Sequence, residues 1–414
     1  MIRVLAHSTY QGSCSFTDHR SWFLLLHLLK LAAHSKKLVE LNPIHFIHNT
    51  FFPHNFQKQK MFRKVFSTFI YLLIFVISQE QAIGALHGST KKMVDEANKN
   101  GPYLGLVIPN MFEMNPLLNS PHYKSTKLVI DYAGRRFRFG NIYKKPVILV
   151  MSGMGMVNAA VATQLLLSLF EIKGVIHYGI AGNANPNLNI GDVTIAQYWS
   201  HSALWNWQRY GNGPEDPLPF EGEGGFTRDI GYLKFGTYSS NGDGDDDDNL
   251  LNNVWYQAEE VYPVDSTPEQ TQQAFWIPVD SNYFSISKAL EKLQIEDCIN
   301  ATTCLSKPPK VTTVQRGTSA NIYLDNAAYR SFLYNKFNVS PVEMESAGVA
   351  LICYQQKVPF ITFRALSDLA GGGSATSNEA DTFSGLSANN SVIVTVEFIK
   401  LLVGYNRKML KYVL

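Results

Sequence analysis

The sequence predicts an α/β fold, and three observations carry that prediction. Short apolar runs at 104–108, 147–151, 175–178 and 360–365 read as strands buried on both faces. Val157, Val161, Leu165 and Leu169 recur every four residues and mark a helix between the second and third runs. No hairpin turn signals join these segments, so strand, helix and strand succeed one another as in a sheet with crossover helices.

The first strand (LGLVI, 104–108) runs into Glu113-Met114-Asn115-Pro116-Leu117. The second (VILVM, 147–151) is followed by Ser152-Gly153-Met154-Gly155, which opens the predicted helix. Backbone N–H groups there form a seat for an anion or a polar ligand edge, and a tight strand-to-helix turn explains the glycines equally well. Asn158 stands at the third glycine position of a dinucleotide fingerprint, so that reading fails. The third strand ends in Tyr178-Gly179-Ile180-Ala181-Gly182, where small residues admit either a ligand or close packing. Further helices are expected over about 345–356 and 391–403, on either side of the strand at 360–365. No internal repeat is visible.

The stretch 199–283 interrupts this rhythm with Gly, Pro, Asn and Asp, yet it holds five of the six Trp residues. Disordered linkers are poor in aromatics, so most of it is expected to pack, as a lid or elaborated loop over one end of the sheet. The acidic tract 243–248 reads as a solvated loop. It fails as a calcium loop, because Asp248 replaces the turn glycine and Val254 stands where the bidentate Glu belongs.

The chain has 414 residues, 45% apolar and 17% charged, with a formal charge of +2. Those values describe a globular protein and exclude a collagen, a coiled coil or a wholly disordered chain. Residues 1–84 hold nine Lys/Arg against three acids, which leaves the remainder at a net charge of −4. A mildly acidic folded region argues against a nucleic-acid partner. Within that basic segment, Arg63 and Lys64 precede an apolar stretch from Val65 to Ile77, and Ala82, Gly84 and Ala85 follow. This is the pattern of a secretory signal peptide at 61–84. The apolar stretch is shorter than the roughly 20 residues of a membrane span, so no stable span is expected once the signal is removed. Residues 1–60, with seven of the eleven His, are expected to be an extension foreign to the fold, with Met61 the natural start. The alternative is an uncleaved, membrane-anchored N-terminus. Export agrees with Cys298 and Cys304, six apart and able to close a small disulfide loop. It also agrees with sequons at Asn300, Asn338 and Asn389. Cys353 lies in an apolar helical pattern and reads as a buried thiol.

The C-terminal third carries the chemistry. Glu343 and Glu345 flank Met344 at the start of an apolar helix, where either acid also serves simply to stabilise the helix dipole. In FITFRALSD, Ser367 and Asp368 fall just past the C-terminal end of a buried strand. Open α/β sheets bind ligands at that edge, and a turn residue before Gly371-Gly372-Gly373 is the plainer reading. One helix–strand unit returns the chain from Glu345 to Asp368, so both can point into one crevice.

With these motifs, the chain from about Leu104 onward resembles the nucleoside phosphorylase superfamily, in particular the methylthioadenosine/adenosylhomocysteine nucleosidases. The likeness rests on Glu113-Met114-Asn115-Pro116-Leu117, SGMGMVNAA at 152–160, GIAGNANPNLNIGDV at 179–193, Val342-Glu343-Met344-Glu345 and Arg364-Ala365-Leu366-Ser367-Asp368. Within the superfamily it is most similar to a plant subgroup of bark and vegetative storage proteins. The resemblance implies a single three-layer domain over 85–414, a central mixed β-sheet flanked by helices, with the insertion at 199–283. It implies cleavage of the N-glycosidic bond of a purine nucleoside through a ribosyl cation-like transition state. Asp368 would protonate the base at N7, oriented by Ser367. Glu345, helped by Met344 and Glu343, would bind the ribose, and Glu113 would position or deprotonate the attacking water. Gly153, Ala181 and Gly182 would line the substrate. The chemistry calls for no metal and no cofactor.

At the anion positions of the phosphorylases this sequence has His177 and Ile180, and no Arg is near Glu113 in the sequence. Phosphate would be poorly held, so hydrolysis outranks phosphorolysis. Ala320-Asn321, where the nucleosidases carry bulky base-contacting residues, leaves base specificity open. The expectation is an exported nucleosidase with a small nucleoside as partner, in the wall space or a vacuole. By resemblance it would be a homo-oligomer. A storage or defence protein with weak or no activity is the alternative, and a phosphorylase the third.

Overall fold

The computed structural model describes residues 88–207, 226–234, 253–372 and 379–413. The chain divides after Ala85, and all of these residues belong to the unit Leu86–Leu414. The extension 1–60, the signal segment 61–84 and the acidic tract 243–248 lie outside the described residues.

Helix α1 (Gly88–Asn98) precedes β1 (Tyr103–Ile108) and α2 (Met111–Leu118). Strands β2 (Tyr123–Tyr132), β3 (Arg135–Ile142) and β4 (Lys145–Met151) then lead to α3 (Met156–Leu169), β5 (Ile172–Asn183) and β6 (Val193–His201). The insertion contributes β7 (Trp205–Trp207), α4 (Phe226–Ile230), β8 (Tyr232–Lys234), β9 (Asn253–Tyr256), β10 (Glu259–Val261), β11 (Gln272–Ala274) and β12 (Ile277–Pro278). After α5 (Ser281–Ser287) come the hairpin β13 (Cys298–Asn300) and β14 (Thr303–Cys304), then β15 (Val311–Ser319) and α6 (Ala327–Phe337). Strand β16 (Val339–Glu343), α7 (Ser346–Gln355), β17 (Phe360–Leu369) and α8 (Glu379–Val413) complete the fold.

The main sheet is mixed and has ten strands. Strand β5 pairs with β17, β17 with β6, β6 with β15, β15 with β16, and β16 returns to β5, so five strands close a ring. Strands β1, β4, β3 and β2 extend outward from β5 as an open wing. Alternate residues of β1 face opposite cores, as a strand's two-residue period requires. Leu104, Leu106 and Ile108 join α2 and α8 in one cluster, whereas Tyr103 and Val107 join α1, α3 and α7 in the other. Helices therefore cover both faces, and the three-layer α/β architecture with a central mixed sheet is the observed one. Residues 382–404 of α8 are long and apolar enough to cross a membrane, but Val392, Val394, Phe398 and Ile399 are buried in the first cluster.

Two sequence readings need correction. The β2–β3–β4 segment is an antiparallel meander, although no hairpin was expected. Its turns use Ala133-Gly134 and Tyr143-Lys144, all at positive φ. Tyr-Lys is not a turn dipeptide that composition reveals. Helix α3 exists where expected, but the two valines of the stripe that signalled it face outward, while Leu169 is buried and Leu165 packs against the core. Val157 is 71% exposed, and Ala159, Ala162, Thr163 and Leu166 form the buried face. Small residues let this helix lie close to its neighbours: a Cβ on Gly348 of α7 would come within 2.7 Å of the Met156 carbonyl oxygen.

The insertion begins later than the composition suggests, because Trp199 belongs to β6 and is fully buried. Its described part forms small sheets, β7–β9–β8 and β10–β11. Tyr256, Val254 and Leu233 pack with Leu333, Phe337, Val342 and Ala370, so the insertion is anchored on α6 and β16. Cys298 and Cys304 are disulfide-bonded, and Cys353 is a buried free thiol, both as expected.

Candidate functional site

The C-terminal ends of β5, β16 and β17 meet on one side of the ring, and α2 delivers Glu113 to the same place. Asn110 caps α2 by accepting the Glu113 N–H, which fixes the first turn of this helix. The Glu113 side chain is then buried against β5, where Oε1 accepts the Ile180 N–H at 2.8 Å. Its Oε2 is buried without a protein hydrogen-bond partner among the described residues. Burial pushes the Glu113 carboxyl up to about 7, against the pull of the Arg364 guanidinium and the Ile180 N–H. The nearby Glu345 and Glu343 carboxyls add to the rise.

Arg364 organises the site, and the sequence reading gave it no role. It lies in β17, opposite Gly179 of β5, and is almost wholly buried. Its Nε donates to Ser346 Oγ at 3.0 Å and its Nη1 to the Ile180 carbonyl at 3.1 Å. Nη1 lies 3.9 Å from Glu113 Oε1. Nη2 meets His177 Nε2 and Glu343 Oε2 closely, and Glu345 Oε2 at 3.5 Å. The expectation that no Arg stands near Glu113 is therefore wrong in space, though correct in the chain. A cation in the otherwise apolar run FITFRA was the available signal, since such a residue is buried only with acidic partners.

The Glu343-Met344-Glu345 motif divides its labour. Glu343 Oε1 accepts from Ser319 Oγ, and its carboxylate also accepts the N–H groups of Glu345 at 2.9 Å and Ser346 at 2.9 and 3.1 Å. With Arg364 added, its acceptor capacity is filled, so Glu343 caps α7 and does not serve as the sugar ligand assigned to it. Glu345 is looser. Its Oε1 accepts the Gly155 N–H at 2.9 Å, and its Oε2 accepts from Arg364 Nη2 over a longer 3.5 Å. Burial first, and the adjacent Glu343 second, shift the Glu345 carboxyl upward. Met344 is half-buried on the bend between the two acids.

Several small-residue positions are already engaged. Gly153 donates its N–H to the Pro109 carbonyl at 2.8 Å, so that group is closed to a substrate. The Gly155 and Met156 N–H groups at the start of α3 go to Glu345 and to Asn321 Oδ1. The anion at this helix end is thus the protein's own carboxylate. Gly182 sits close to Ala370, whose Cβ would be 3.0 Å from an added methyl, so it is a packing position. Ala181 is buried and presents its carbonyl to Ser367. His177 is fully buried, with its ring between Val107 and Arg364, and so is not an open anion seat. Ile180 contributes its backbone, N–H to Glu113 and carbonyl to Arg364.

Asp368 and Ser367 close the cluster from β17. Ser367 Oγ lies 2.6 Å from Asp368 Oδ1 and 3.3 Å from the Ala181 carbonyl. Asp368 is half-buried and pairs in register with Gly182. Glu113 and Asp368 therefore adjoin the same short piece of β5, residues 180–182, with Glu345 brought in through Arg364. His177, Glu343 and Glu345 place potential ligand atoms within 4.8 Å of one another, but the Arg364 guanidinium touches all three, so the cation position is filled by the chain itself. A cavity of about 530 Å³ lies behind α2 and against α8, lined by Asn115, Glu296 and Asn389 among others. It contains none of these acids and is no part of the site.

The chain is similar to several known proteins. The chain is 29% identical over 302 residues to bark storage protein A of Populus deltoides, covering 72% of this chain and 88% of that one. It is 29% identical over 269 residues to the 5'-methylthioadenosine/S-adenosylhomocysteine nucleosidase of Psychromonas ingrahamii, covering 64% and 86%. A solved Helicobacter pylori nucleosidase with 5'-methylthioadenosine in its active site covers 72% of this chain and 99% of its own, at 18% identity and a TM-score of 0.49. Residues 103–400 match the family model of the phosphorylase superfamily, and that span holds every strand of the main sheet and every acid of the cluster. The chain belongs to the phosphorylase superfamily.

Proposed function

We propose that this protein hydrolyses the N-glycosidic bond of purine nucleosides or related ribosides with acid assistance. The observation that carries the reading is that Glu113 and Glu345 lie against one buried guanidinium at the end of β5, where Asp368 of the neighbouring β17 stands in register with Gly182. Asp368 gives a proton to N7 of the leaving purine as the bond from the anomeric carbon to the base breaks and its electron pair passes to the base. Ser367 Oγ, 2.6 Å away, fixes the carboxyl. A water attacks the anomeric carbon from the opposite side and gives its proton to Glu113. Oε2 of Glu113 has no hydrogen-bond partner among the described residues and is the oxygen that serves as base. A carboxyl lifted to about 7 is well matched to that task near neutral pH. Glu345 Oε2, only loosely held by Arg364, accepts from the ribose hydroxyls. General acid catalysis supplies about 10²–10⁴-fold, and positioning in a water-poor site supplies the rest.

Phosphorolysis is disfavoured on the same geometry. The donors of Arg364 are directed to Ser346, Ile180, His177 and the protein's own carboxylates, which leaves poor support for a phosphate dianion. A storage role with weak or no activity is the second reading, favoured by the likeness to Populus bark storage proteins. Export through the secretory pathway is part of the proposal. Its support is the Cys298–Cys304 disulfide and the solvent-facing asparagines of all three sequons, Asn300, Asn338 and Asn389.

The test is incubation of the purified protein with adenosine, inosine and methylthioadenosine, with and without phosphate. Free ribose or methylthioribose is expected in both conditions. Sugar 1-phosphate formed only with phosphate would assign a phosphorylase. No product from folded protein across a panel of ribosides would leave the storage role.

A further inference from the structure

The cavity of about 530 Å³ that lies outside the candidate site is a groove between two helices and the disulfide hairpin. Phe112, Asn115 and Asn119 line it as one stripe along α2 and its C-cap, and Thr382, Gly385 and Asn389 form a matching stripe on α8. Glu296 and Ile299 close the third side beside Cys298. Phe112 and Ile299 are 48% and 46% exposed, so apolar surface faces water inside the groove. A Cβ added at Gly385 would meet nothing within 4 Å, so the backbone of α8 is approachable there. Apolar side chains ringed by carboxamides and a carboxylate suit a ligand with an apolar face and many hydroxyls, which is the surface of a sugar.

Asn389 stands in this groove and opens the sequon Asn389-Asn390-Ser391. Its side chain faces solvent and makes no hydrogen bond among the described residues. The other two sequon asparagines are engaged. Asn300 Oδ1 accepts from the N–H groups of Thr302 and Thr303 and from the Thr302 hydroxyl, and Asn338 Nδ2 donates to Gln315 Oε1 at 2.9 Å.

We propose that Asn389 carries an N-linked glycan whose first sugar lies in this groove, over the Phe112 ring and beside Asn115, Asn119 and Glu296. The modification rests on the export part of the proposed function, because glycan transfer belongs to the secretory route. In the transfer, the Asn389 amide nitrogen attacks C1 of an oligosaccharide carried on a lipid diphosphate. The N–C1 bond forms, the C1–O bond to phosphate breaks, the lipid diphosphate leaves with the electron pair, and one amide proton passes to water. This step precedes folding. Ser391, whose hydroxyl completes the sequon, is fully buried in the fold and donates to the Ala388 carbonyl at 2.8 Å. Once the chain has folded, the covalent tether holds the sugar at a high effective concentration over the groove. Contacts that exist only in the folded state then add to its stability.

The test uses the full chain expressed in plant cells and recovered from the vacuolar, extracellular and cytosolic fractions. Mass spectrometry of the peptide that contains Asn389 should find a glycan on the exported protein. Phe112→Ser should then lower the thermal midpoint of the glycosylated protein by at least about 2 °C more than it lowers that of Asn389→Gln, which has no sugar to seat. An equal effect of Phe112→Ser in the two backgrounds overturns the seat. A readout that needs no variant is NMR of the exported wild type. Nuclear Overhauser contacts between the Phe112 ring and the first sugar are expected, and their absence refutes the seat. Exported protein with a bare Asn389 overturns the modification while leaving the export reading intact. A chain retained in the cytosol with its N-terminal segment uncleaved overturns both, so the two failures are told apart by where the protein is found.

Discussion

Nη1 of Arg364 lies 3.9 Å from Oε1 of Glu113, with both side chains almost completely withdrawn from water. The two are far apart in the chain and are joined through one residue, Ile180, whose N–H serves Glu113 and whose carbonyl serves Arg364. Around this unit Glu343 and Glu345 complete an acidic shell, so among the described residues the guanidinium is the cation that makes burial of three carboxyl groups tolerable.

Removal of that cation should therefore be severe. Arg364→Met is expected to lower the unfolding free energy by about 3–5 kcal/mol, because breaking a buried ionic cluster leaves its partners uncompensated. Arg364→Lys should recover only part of this, since a lysine lacks the forked donors. Urea denaturation measures both. A loss below about 1 kcal/mol in Arg364→Met would contradict the assigned burial.

Stability should fall as pH rises across the range set by Glu113. Its carboxyl is raised from 4.5 to about 7 in the folded protein, so the folded state binds more protons than the unfolded one between those values. The associated stability is fully present below about pH 4.5 and is lost as pH passes through 7. At about 1.4 kcal/mol per pKa unit, the loss approaches about 3 kcal/mol. Glu113→Gln should show a flatter dependence, read from thermal midpoints at pH 5 and pH 8. The activity of the wild type should move the other way, rising through pH 7 as Glu113 becomes a base.

Gly179 is where a single methyl group should disable the site. An added Cβ would fall on Glu113 Oε1 and lie 2.7 Å from Arg364 Nη1. Gly179→Ala must displace that pair, and a misplacement of about 1 Å costs on the order of 100-fold in rate. Overpacking should also lower stability by about 1–3 kcal/mol. Activity near wild type in this variant would mean that the Glu113–Arg364 arrangement is not needed.

Helix α3 offers a test of the fold that is independent of catalysis. Val157 is exposed, so Val157→Ser should change stability by no more than about 0.5 kcal/mol. Ala162 is fully buried, and Ala162→Leu should cost about 1–3 kcal/mol. The reverse order in urea denaturation would show that the helix presents its valine stripe inward.

The same helix shows how far the sequence could be read. A four-residue spacing located the helix, but its orientation is set by neighbours. Alanines face inward because α7 lies close against it, and spacing carries no record of that. Strand β17 was legible because its run is apolar apart from Thr362 and Arg364 and leads into Ser367-Asp368. Arg364 within it was visible as an anomaly, but its partners come from α2, β5 and β16, and only the ring of strands brings them together. Glu343 and Glu345 looked equivalent along the chain. They differ in space because the N–H groups at the start of α7 and the Ser319 hydroxyl converge on one and not on the other. The β2–β3–β4 meander stayed hidden because Tyr143-Lys144 turns the chain at positive φ without glycine or asparagine.

The proposed cleavage depends most directly on Asp368, half-buried in β17 and held by Ser367. The deciding measurement is release of free base from a purine riboside by the wild type and by Asp368→Asn, with the thermal midpoint of each recorded alongside. The expected result is turnover by the wild type, none detectable in the variant, and midpoints within about 2 °C. Full turnover by Asp368→Asn would show that the proton comes from elsewhere and would contradict the assigned mechanism.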